Sequence, residues 1–249
     1  MTYKAFDLTG RVALVTGGNG GIGLGMAEAL AQAGADVEIW GTNAEKNARA
    51  VERLKAHGGK VNARVVDVGS EEAVVAGVAA TLEDFGRIDA CFANAGMSNR
   101  WKSFLDIGGD AYRRVMAVNL DGAIWTLREA CQHMKARAEA GDAGGSVAAV
   151  ASLGALMGAA RNQDYTATKA ALVAVTNGIA VEFARYGVRA NAILPGWIET
   201  DMTAGAQANP KFAEHVIARV PLRRWRKPEE FGGIAVYLAS DASRFHTGD

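Results

Sequence analysis

A tyrosine and a lysine four residues apart are the side chains in this sequence with the clearest chemical potential. Tyr165 and Lys169 lie in a run from Gln163 to Tyr186 whose Ala- and Val-rich composition predicts a helix. Residues four apart on a helix share a face, so the phenol and the ammonium are expected to project side by side. A phenol ionises near pH ~10, and a neighbouring cation favours its charged form. The pair is suited to proton transfer, although Tyr-x-x-x-Lys also arises by chance on amphipathic helices.

Short apolar runs alternate with longer helical patterns along the chain. The predicted strands are residues 11–16, 36–40, 61–66, 88–93, 146–151 and 188–194. The predicted helices are residues 21–33, 45–56, 70–85, 110–137 and 163–186. Strands that are nearly all apolar and separated by helices indicate a parallel sheet covered by helices on both faces. No linker or composition break divides residues 1–249, so we predict a single α/β domain with a doubly wound parallel sheet.

The bulk composition excludes several classes of protein. Lys plus Arg is 27 and Asp plus Glu is 27, so the net charge is zero, which argues against a nucleic-acid partner. A local basic cluster is interpreted as a solvated loop or subunit contact rather than an anion site; it comprises Arg219, Arg223, Arg224, Arg226 and Lys227. The four histidines are too scattered to predict a metal site.

The spacing of the cysteines and the lengths of the apolar runs indicate the cellular compartment. Cys91 and Cys131 are forty residues apart and predict no disulfide framework, which fits a reducing compartment. We find no signal peptide pattern and no apolar run of the ~18 to 20 residues that a membrane span needs. These observations predict a soluble, cytoplasmic protein without a membrane partner.

A glycine-rich loop follows the first predicted strand. Six of the nine residues from Gly17 to Gly25 are glycine, and a predicted helix comes next. Such a loop lets the backbone approach a pyrophosphate closely enough for the helix N-terminus to bind it. A P-loop is disfavoured because no Gly-Lys-Ser/Thr follows, and a hydrolase elbow because Ser152 has Val150 two residues before it.

The order of the motifs resembles the classical short-chain dehydrogenase/reductase family over nearly the whole chain. The loop reads Gly17-x-x-x-Gly21-x-Gly23 behind a Thr, which is that family's spacing. Further motifs in the family's order are Asp67-Val68, Asn94-Ala95-Gly96, Asn119, Ser152 with Tyr165 thirteen residues later, and Pro195-Gly196 with Thr200. The resemblance implies a Rossmann-type fold and an NAD(P)-dependent oxidoreductase that interconverts a secondary alcohol and a ketone or aldehyde.

The resemblance also implies roles for individual residues. Tyr165 would be the general acid in carbonyl reduction and the general base in alcohol oxidation. Lys169 would lower its pKa and bond the nicotinamide ribose, Ser152 would polarise the substrate carbonyl, and Asn119 would hold a water that links Lys169 to solvent. The implied cofactor-binding residues are Gly17, Asn19, Gly21, Ile22, Gly23, Thr42, Asn43, Asp67, Val68, Asn94, Ala95, Gly96, Tyr165, Lys169, Pro195, Gly196, Ile198 and Thr200.

Structural alternatives stand beside these roles. Ser152 would also serve as a cap at a strand end, Asn119 as a helix residue bonding a neighbouring strand, and Asn94 as a turn former. A rival function is a non-catalytic dinucleotide-binding sensor on the same scaffold, although such proteins typically lose the Tyr or the Lys. A hydrolase using Ser152 has little support, because no partnered His is evident.

The choice between NADP and NAD depends on the end of the second strand. NAD-dependent relatives commonly have an Asp where Gly41 stands, and a carboxylate there would repel a 2′-phosphate. NADP-dependent relatives often have Arg at the next position or a basic residue in the glycine-rich loop, where this chain has Thr42 and Gly20. Glu38 is expected to face away from the ribose. NADP is therefore slightly favoured, with Thr42 and Asn43 as donors.

The substrate side and the end of the chain depart from the family pattern. Trp101, Trp197 and a substrate loop over about 197–227 are expected to line the pocket, but they do not identify the substrate. Arg226 stands where the family usually has Gly, and a positive φ there would add ~1 to 2 kcal/mol of strain. The chain ends at Asp249 before the family's usual last strand, which predicts an uncovered edge beside the sixth strand. A homotetramer, or a homodimer, is implied by the resemblance.

Overall fold

Six parallel strands form one sheet in the computed structural model, which describes residues 3–249. The strands are β1 (Val12–Thr16), β2 (Asp36–Gly41), β3 (Val61–Val65), β4 (Ala90–Ala93), β5 (Gly145–Val150) and β6 (Val188–Ile193). Their order in the sheet is β3-β2-β1-β4-β5-β6. The chain runs outwards from β1 to β3, returns to the other side of β1 as β4, and runs outwards again. This order confirms the predicted doubly wound, Rossmann-type sheet.

Helices cover both faces of the sheet. They are α1 (Gly21–Gln32), α2 (Ala44–Lys55), α3 (Glu71–Phe85), α4 (Gly109–Met116), α5 (Gly122–Glu139), α6 (Gln163–Phe183), α7 (Ala204–Gln207), α8 (Pro210–Ile217) and α9 (Gly232–Ala239). Side chains alternate along a strand, so β1 directs Ala13 and Val15 to one hydrophobic core and Leu14 to the other. The first core contains residues of α1, α2 and α9, and the second contains residues of α3, α5 and α6.

Local capping sets the ends of two helices near the cofactor side. Ser70 caps α3, because its hydroxyl accepts a hydrogen bond from Ala73 N at 3.2 Å. Gly86 ends the same helix in the left-handed region, with φ 75°. Asn43 caps α2 in the same way, accepting from Lys46 N at 2.8 Å. The start of α2 is therefore fixed directly after β2.

The long central helix contains a π-helical turn. The prediction that 110–137 is largely helical is confirmed, and the π-helical turn, Ala117–Asp121, lies between α4 and α5 without a break. Asn119 lies in this turn and is fully buried. Its amide bonds the backbone of Met97 rather than facing along the helix. Inserted π turns of this kind occur frequently at functional sites.

A threonine hydroxyl joins the carboxyl ends of β1 and β4. Thr16 Oγ1 accepts hydrogen bonds from the backbone N–H groups of Asn94 and Ala95, each at 3.0 Å. Asn94 Nδ2 in turn donates to Thr16 O at 2.9 Å. An unsatisfied buried N–H costs about 1 to 3 kcal/mol, so a side chain without a hydroxyl at position 16 would be costly. These bonds hold the two strands at the point where the strand order reverses.

The last residues of the chain lie beside β6. Gly248 N donates to Ala190 O at 2.8 Å, and Ala190 N donates to Thr247 Oγ1 at 3.0 Å. Asp249 N donates to Asn191 Oδ1 at 3.3 Å. The expectation of an uncovered edge beside the sixth strand is therefore wrong over Ala190 and Asn191, because these last residues supply partners for the polar groups there.

One helix within residues 3–249, Gln163–Tyr186, is long and apolar enough by length and composition to cross a membrane. This is weak evidence for a membrane span, because the core helix of a parallel α/β sheet meets the same criteria. Leu172 and Ala180 of this helix pack into the second core, and Lys169 is buried against β5. The helix is a packed element of the sheet.

Candidate active site

A cleft of about 330 Å³ opens at the carboxyl ends of the strands. It brings together predicted residues from well-separated segments of the chain, namely Gly17, Asn19, Gly21, Ile22, Asn94, Ala95, Gly96, Ser152, Tyr165, Lys169, Pro195, Gly196, Ile198 and Thr200. In open α/β sheets, ligands bind in the crevice where the strand order reverses. The predicted catalytic and cofactor residues thus largely share one crevice between β1 and β4.

Some predicted residues shape the cleft from behind. A Cβ at Gly23 would lie 2.2 Å from Gly17 O, so this glycine lets α1 approach the loop. Val68 is buried, and its carbonyl oxygen lies 2.6 Å from the position of a Cβ at Gly122 of α5. Asn119 lies behind Gly96. These residues are outside the cleft lining but determine its shape.

Three other predicted cofactor residues, Thr42, Asn43 and Asp67, lie outside the lining of the cleft. Thr42 and Asn43 are exposed, and the Asn43 side-chain oxygen caps α2. The Asp67 carboxylate pairs with Arg114 at 2.9 Å, and this hydrogen bond holds the pKa of Asp67 below its ordinary value. Gly69 N also donates to Asp67 at 3.0 Å.

The cleft also contains three residues that were not predicted from the sequence, Lys46, Val150 and Ala151. Gly20 of the glycine loop and Asp201, Met202 and Thr203 of the predicted substrate loop line it as well. Lys46 Nζ and Asp201 Oδ2 form an ion pair at 2.8 Å, which links α2 to the segment after β6. The sequence signal for Lys46 is its place in the first turn of the helix that follows β2.

Lys169 is deeply buried at the base of the cleft. It is 3% exposed, and Nζ donates to Val150 O at 2.7 Å. Its ammonium lies 5.6 Å from the ring centroid of Tyr165. Burial lowers the pKa of Lys169 from 10.5 to about 8, because the low-dielectric surroundings disfavour the charged form. An ammonium has three donors, and the described residues supply one acceptor, so the remaining donors suit ligand hydroxyls.

The pKa of the Tyr165 phenol is shifted upwards, in the direction opposite to the predicted one. Burial raises the pKa of Tyr165 above its ordinary value, while the Ser152 hydroxyl acts to lower it. Without a ligand, desolvation outweighs any effect of the Lys169 cation. A half-buried tyrosine of this kind is held as the neutral, proton-donating form.

Ser152 and Asn119 both make structural hydrogen bonds, the kind of contact that was the alternative to a catalytic role. Ser152 Oγ accepts from Gly154 N at 3.0 Å and begins a short 3₁₀ turn after β5. Asn119 Oδ1 accepts from Met97 N, and its Nδ2 donates to Met97 O, both at 2.8 Å. A Cβ at Gly96 would lie 3.4 Å from both Asn119 Oδ1 and Lys169 Nζ. The glycine therefore leaves space beside both groups.

The end of β2 is filled by amides rather than by a carboxylate. A Cβ at Gly41 would lie 2.1 Å from Asn19 Nδ2 and 2.7 Å from Asn47 Oδ1, and these two amides bond each other at 2.7 Å. Glu38 points elsewhere, as predicted, and its Oε1 lies 3.0 Å from Arg64 Nε. Burial raises the pKa of Glu38 to about 7.

An aromatic cluster borders the substrate side. The Trp197 ring packs edge-on against Phe212 and Trp225, with centroid distances of 5.6 Å in both pairs. Arg226 pairs with Ile198 in an isolated β-bridge, and its guanidinium lies 3.9 Å from the Phe231 ring centroid. Arg226 does not adopt a positive φ, so the condition under which its side chain would add strain is not met.

Metal ligation finds no support in residues 3–249, where no group of three or more His, Cys, Asp and Glu side chains is placed to hold an ion. The two cysteines are free and buried.

Comparisons with known proteins agree with this geometry. The family model described as Enoyl-(Acyl carrier protein) reductase matches residues 17–249. The chain is 37% identical to a 3-oxoacyl-(acyl-carrier-protein) reductase of Chlamydia pneumoniae, covering 96% of this chain and 94% of the relative. It is 36% identical to the L-rhamnose 1-dehydrogenase (NAD(P)(+)) of Azotobacter vinelandii, covering 97% and 94%. It is 35% identical to the gluconate 5-dehydrogenase of Gluconobacter oxydans, covering 98% and 93%.

Solved structures extend the likeness to both cofactors. A candidate NAD(P)-dependent gluconate 5-dehydrogenase of Beutenbergia cavernae, solved with NADP, superposes with a TM-score of 0.90 at 35% identity over 98% of this chain and 95% of that one. A xylitol dehydrogenase solved with NAD⁺ superposes with a TM-score of 0.88 at 32% identity, over 97% of this chain and 96% of that one. The chain belongs to the short-chain dehydrogenase/reductase family and is an NAD(P)-dependent oxidoreductase that acts on alcohol and carbonyl groups.

Proposed function

We propose that the chain interconverts a secondary alcohol and a ketone with Tyr165 as the acid–base residue and with NADP preferred over NAD. The observation that carries the proposal is that Tyr165, Ser152 and Lys169 line the same cleft as the glycine loop. A dinucleotide bound by that loop would extend towards these three side chains. The relatives named for rhamnose and gluconate support a small polyhydroxylated substrate.

The chain's own residues account for binding and orientation. The N-terminus of α1 and the glycine loop offer backbone N–H groups to a pyrophosphate. The nicotinamide cofactor supplies or accepts the hydride at the substrate carbon. Lys169 offers its unused donors to ribose hydroxyls, and Asn94 holds the loop by donating to Thr16 O and Gly17 O.

Proton transfer falls to Tyr165. In reduction its hydroxyl gives a proton to the substrate oxygen, and in oxidation it removes that proton. Ser152 donates a hydrogen bond to the same oxygen, because its hydroxyl also lines the cleft. The space beside Gly96, next to Asn119 Oδ1 and Lys169 Nζ, gives a route by which a water returns the proton to solvent.

Removal of the phenol hydroxyl tests this mechanism. Tyr165→Phe is expected to lower kcat by about 10² to 10⁴, because it removes the proton donor and keeps the ring. Turnover is measured on a panel of gluconate, L-rhamnose, a 3-oxoacyl thioester and cyclic ketones, with both reduced and both oxidised cofactors. Tyr186→Phe, outside the cleft on the same long helix, is the matched control. Full activity in Tyr165→Phe contradicts the mechanism, and cofactor binding without turnover in wild type favours the sensor.

Burial of the Lys169 ammonium is expected to lower the stability of the fold, although the side chain is needed for activity. The folded state binds this proton less tightly than the unfolded chain, so burial of the charge is unfavourable below pH 8 and its effect disappears above pH 10.5. A pKa lowered from 10.5 to about 8 corresponds to roughly 3 kcal/mol. Lys169→Met is expected to be inactive yet about 1 to 3 kcal/mol more stable at pH 7.

Denaturant unfolding at several pH values measures this effect. The advantage of Lys169→Met should shrink as the pH rises from 8 to 10.5. Lys55→Met, an exposed change on α2, is the control and should leave stability nearly unchanged. A Lys169→Met variant less stable than wild type at pH 7 contradicts the argument.

The NADP preference is supported by the residues around Gly41. The amides of Asn19 and Asn47 occupy the space of a side chain at position 41, so no carboxylate stands there to repel a phosphate. Lys46 lines the cleft from the first turn of α2 and would exchange Asp201 for a 2′-phosphate. An exposed ion pair contributes at most about 1 kcal/mol, so this exchange faces little opposition.

Substitution of Lys46 tests the preference. Lys46→Gln is expected to weaken NADPH binding about tenfold or more, since a charge-assisted hydrogen bond contributes about 1.5 to 3 kcal/mol. NADH binding should change little. Fluorescence titration of each reduced cofactor measures both constants, with Lys55→Gln as the control. An equal loss of affinity for NADPH and NADH would show that Lys46 does not distinguish the two cofactors. Tighter binding of NADH than of NADPH by wild type would overturn the NADP preference.

Assembly and compartment complete the proposal. We propose a cytoplasmic homotetramer or homodimer, in which residues 197–227 form the substrate loop. Large exposed apolar side chains support self-association, among them Val181 at 85% exposure on α6 and Leu105 at 88%. Two free, buried thiols fit a reducing compartment. Sedimentation velocity is expected to show a species of two or four chains, and a monomer at micromolar concentration contradicts the assembly.

A further inference from the structure

The loop after β4, residues 97–101, is tied to the beginning of α6 at three points. Ser98 Oγ donates to Asn162 Oδ1 at 2.9 Å. Trp101 N donates to Arg161 O at 3.1 Å, and the Trp101 indole Nε1 donates to Asp164 Oδ2 at 2.9 Å. All three partners lie within four residues of Tyr165 in sequence, so the loop and the phenol share one support.

Asp164 is the most buried of these partners. It is 3% exposed, and its other oxygen, Oδ1, accepts from Tyr165 N at 2.9 Å. A buried carboxylate must have its oxygens bonded, since desolvation is otherwise costly. One of these bonds comes from the loop through Trp101 and the other from the backbone of Tyr165. Asp164 is therefore a direct link between them.

Arg161 supports the same link through its backbone. It adopts a φ of 65°, which is uncommon for a residue with a side chain and costs free energy. Its carbonyl accepts the backbone N–H of Trp101. Residues held in such conformations persist where the surrounding structure imposes them, and they cluster at functional sites.

The other end of the loop is held to the same helix. Asn119 bonds both polar backbone groups of Met97 and also donates to Thr168 Oγ1 of α6 at 3.3 Å. The Arg100 guanidinium of the loop lies 6.0 Å from the Phe212 ring centroid, and Phe212 packs on Trp197. The loop is thus tied to α6 at both ends and contacts the aromatic cluster through Arg100.

We propose that Asp164 and Trp101 are a positioning pair that fixes the 97–101 loop relative to the Tyr165 hydroxyl and thereby limits the size of the substrate. The proposal rests on the proposed role of Tyr165. The pair does not contact the reacting atoms; it sets the width of the space in front of them. Loss of the indole–carboxylate bond releases the loop and widens that space.

Two conservative variants test the pair. Trp101→Phe keeps an aromatic ring but removes the Nε1 donor. Asp164→Asn keeps an oxygen for Tyr165 N but places an amide donor against the indole donor. Trp125→Phe on α5, outside the cleft and the loop, is the matched control for loss of an indole.

The readout is the ratio of kcat/KM values along a series of methyl ketones, from butanone to longer straight-chain members. Each variant is expected to shift the ratio of long to short ketone by about tenfold or more in favour of the long one, a size that pocket contacts commonly produce. The double variant should shift it no further than the single ones. The affinity for NADPH should stay unchanged in the two single variants and in the double variant.

Amide hydrogen exchange of residues 97–101 gives a second readout that needs no substrate. Both variants are expected to exchange faster there than wild type and Trp125→Phe. A uniform loss of activity for all ketones, or unchanged ratios with only lower thermal stability, assigns the pair a purely structural role and overturns the proposal. If wild type turns over neither this series nor the panel of gluconate, L-rhamnose, thioester and cyclic ketones, the proposed function fails. Unchanged exchange in the variants overturns the positioning role in either case.

Discussion

The hydroxyl of Thr16 is the contact on which the geometry of the cleft depends. It accepts two backbone N–H groups from the start of the segment after β4, and the Asn94 side chain bonds back to the end of β1. These bonds lie where the chain reverses its direction of travel across the sheet, so no hydrogen-bonded strand fills the crevice above them. The glycine loop and the Asn94-Ala95-Gly96 segment consequently face each other at a fixed distance.

Burial of polar groups near this crevice follows a common pattern. Lys169, Asp164 and Asn119 are each nearly inaccessible. Lys169 bonds the backbone of β5, Asn119 bonds the backbone of the loop after β4, and Asp164 bonds the Tyr165 backbone and the Trp101 indole. Buried polar groups are tolerated when they are bonded, but they restrict which conformations the surroundings can adopt. The incomplete satisfaction of the Lys169 ammonium marks the place where a ligand completes the set.

The sequence was sufficient to predict the sheet, the helices between its strands and most residues of the cleft, but α7, α8 and α9 were not predicted. Apolar strand patterns and the glycine loop depend on local periodicity, which is visible in a single chain. The π turn around Asn119 was not predictable, because it depends on bonds to Met97, which is distant in sequence. The same reason applies to the ion pair of Lys46 with Asp201, which is formed by residues 155 positions apart.

The local backbone conformation was also not predictable from the sequence. The family pattern directed attention to Arg226, whereas the described residues other than glycine with a positive φ are Arg161 and Arg223. The Arg161 carbonyl accepts the backbone N–H of Trp101, which is sixty residues away in sequence, so no local pattern marks this contact.

One consequence follows from the composition of α6. Asp164, Tyr165, Thr168 and Lys169 all belong to its first two turns, so their mutual arrangement is internal to a single rigid helix. Thermal motion of the domain can move this group as a unit towards or away from the crevice between β1 and β4, but it hardly alters the spacing of phenol and ammonium. Mutations that soften the packing of α6 against β5 or β6 would therefore change the distance between this helix and the glycine loop more than the spacing of phenol and ammonium.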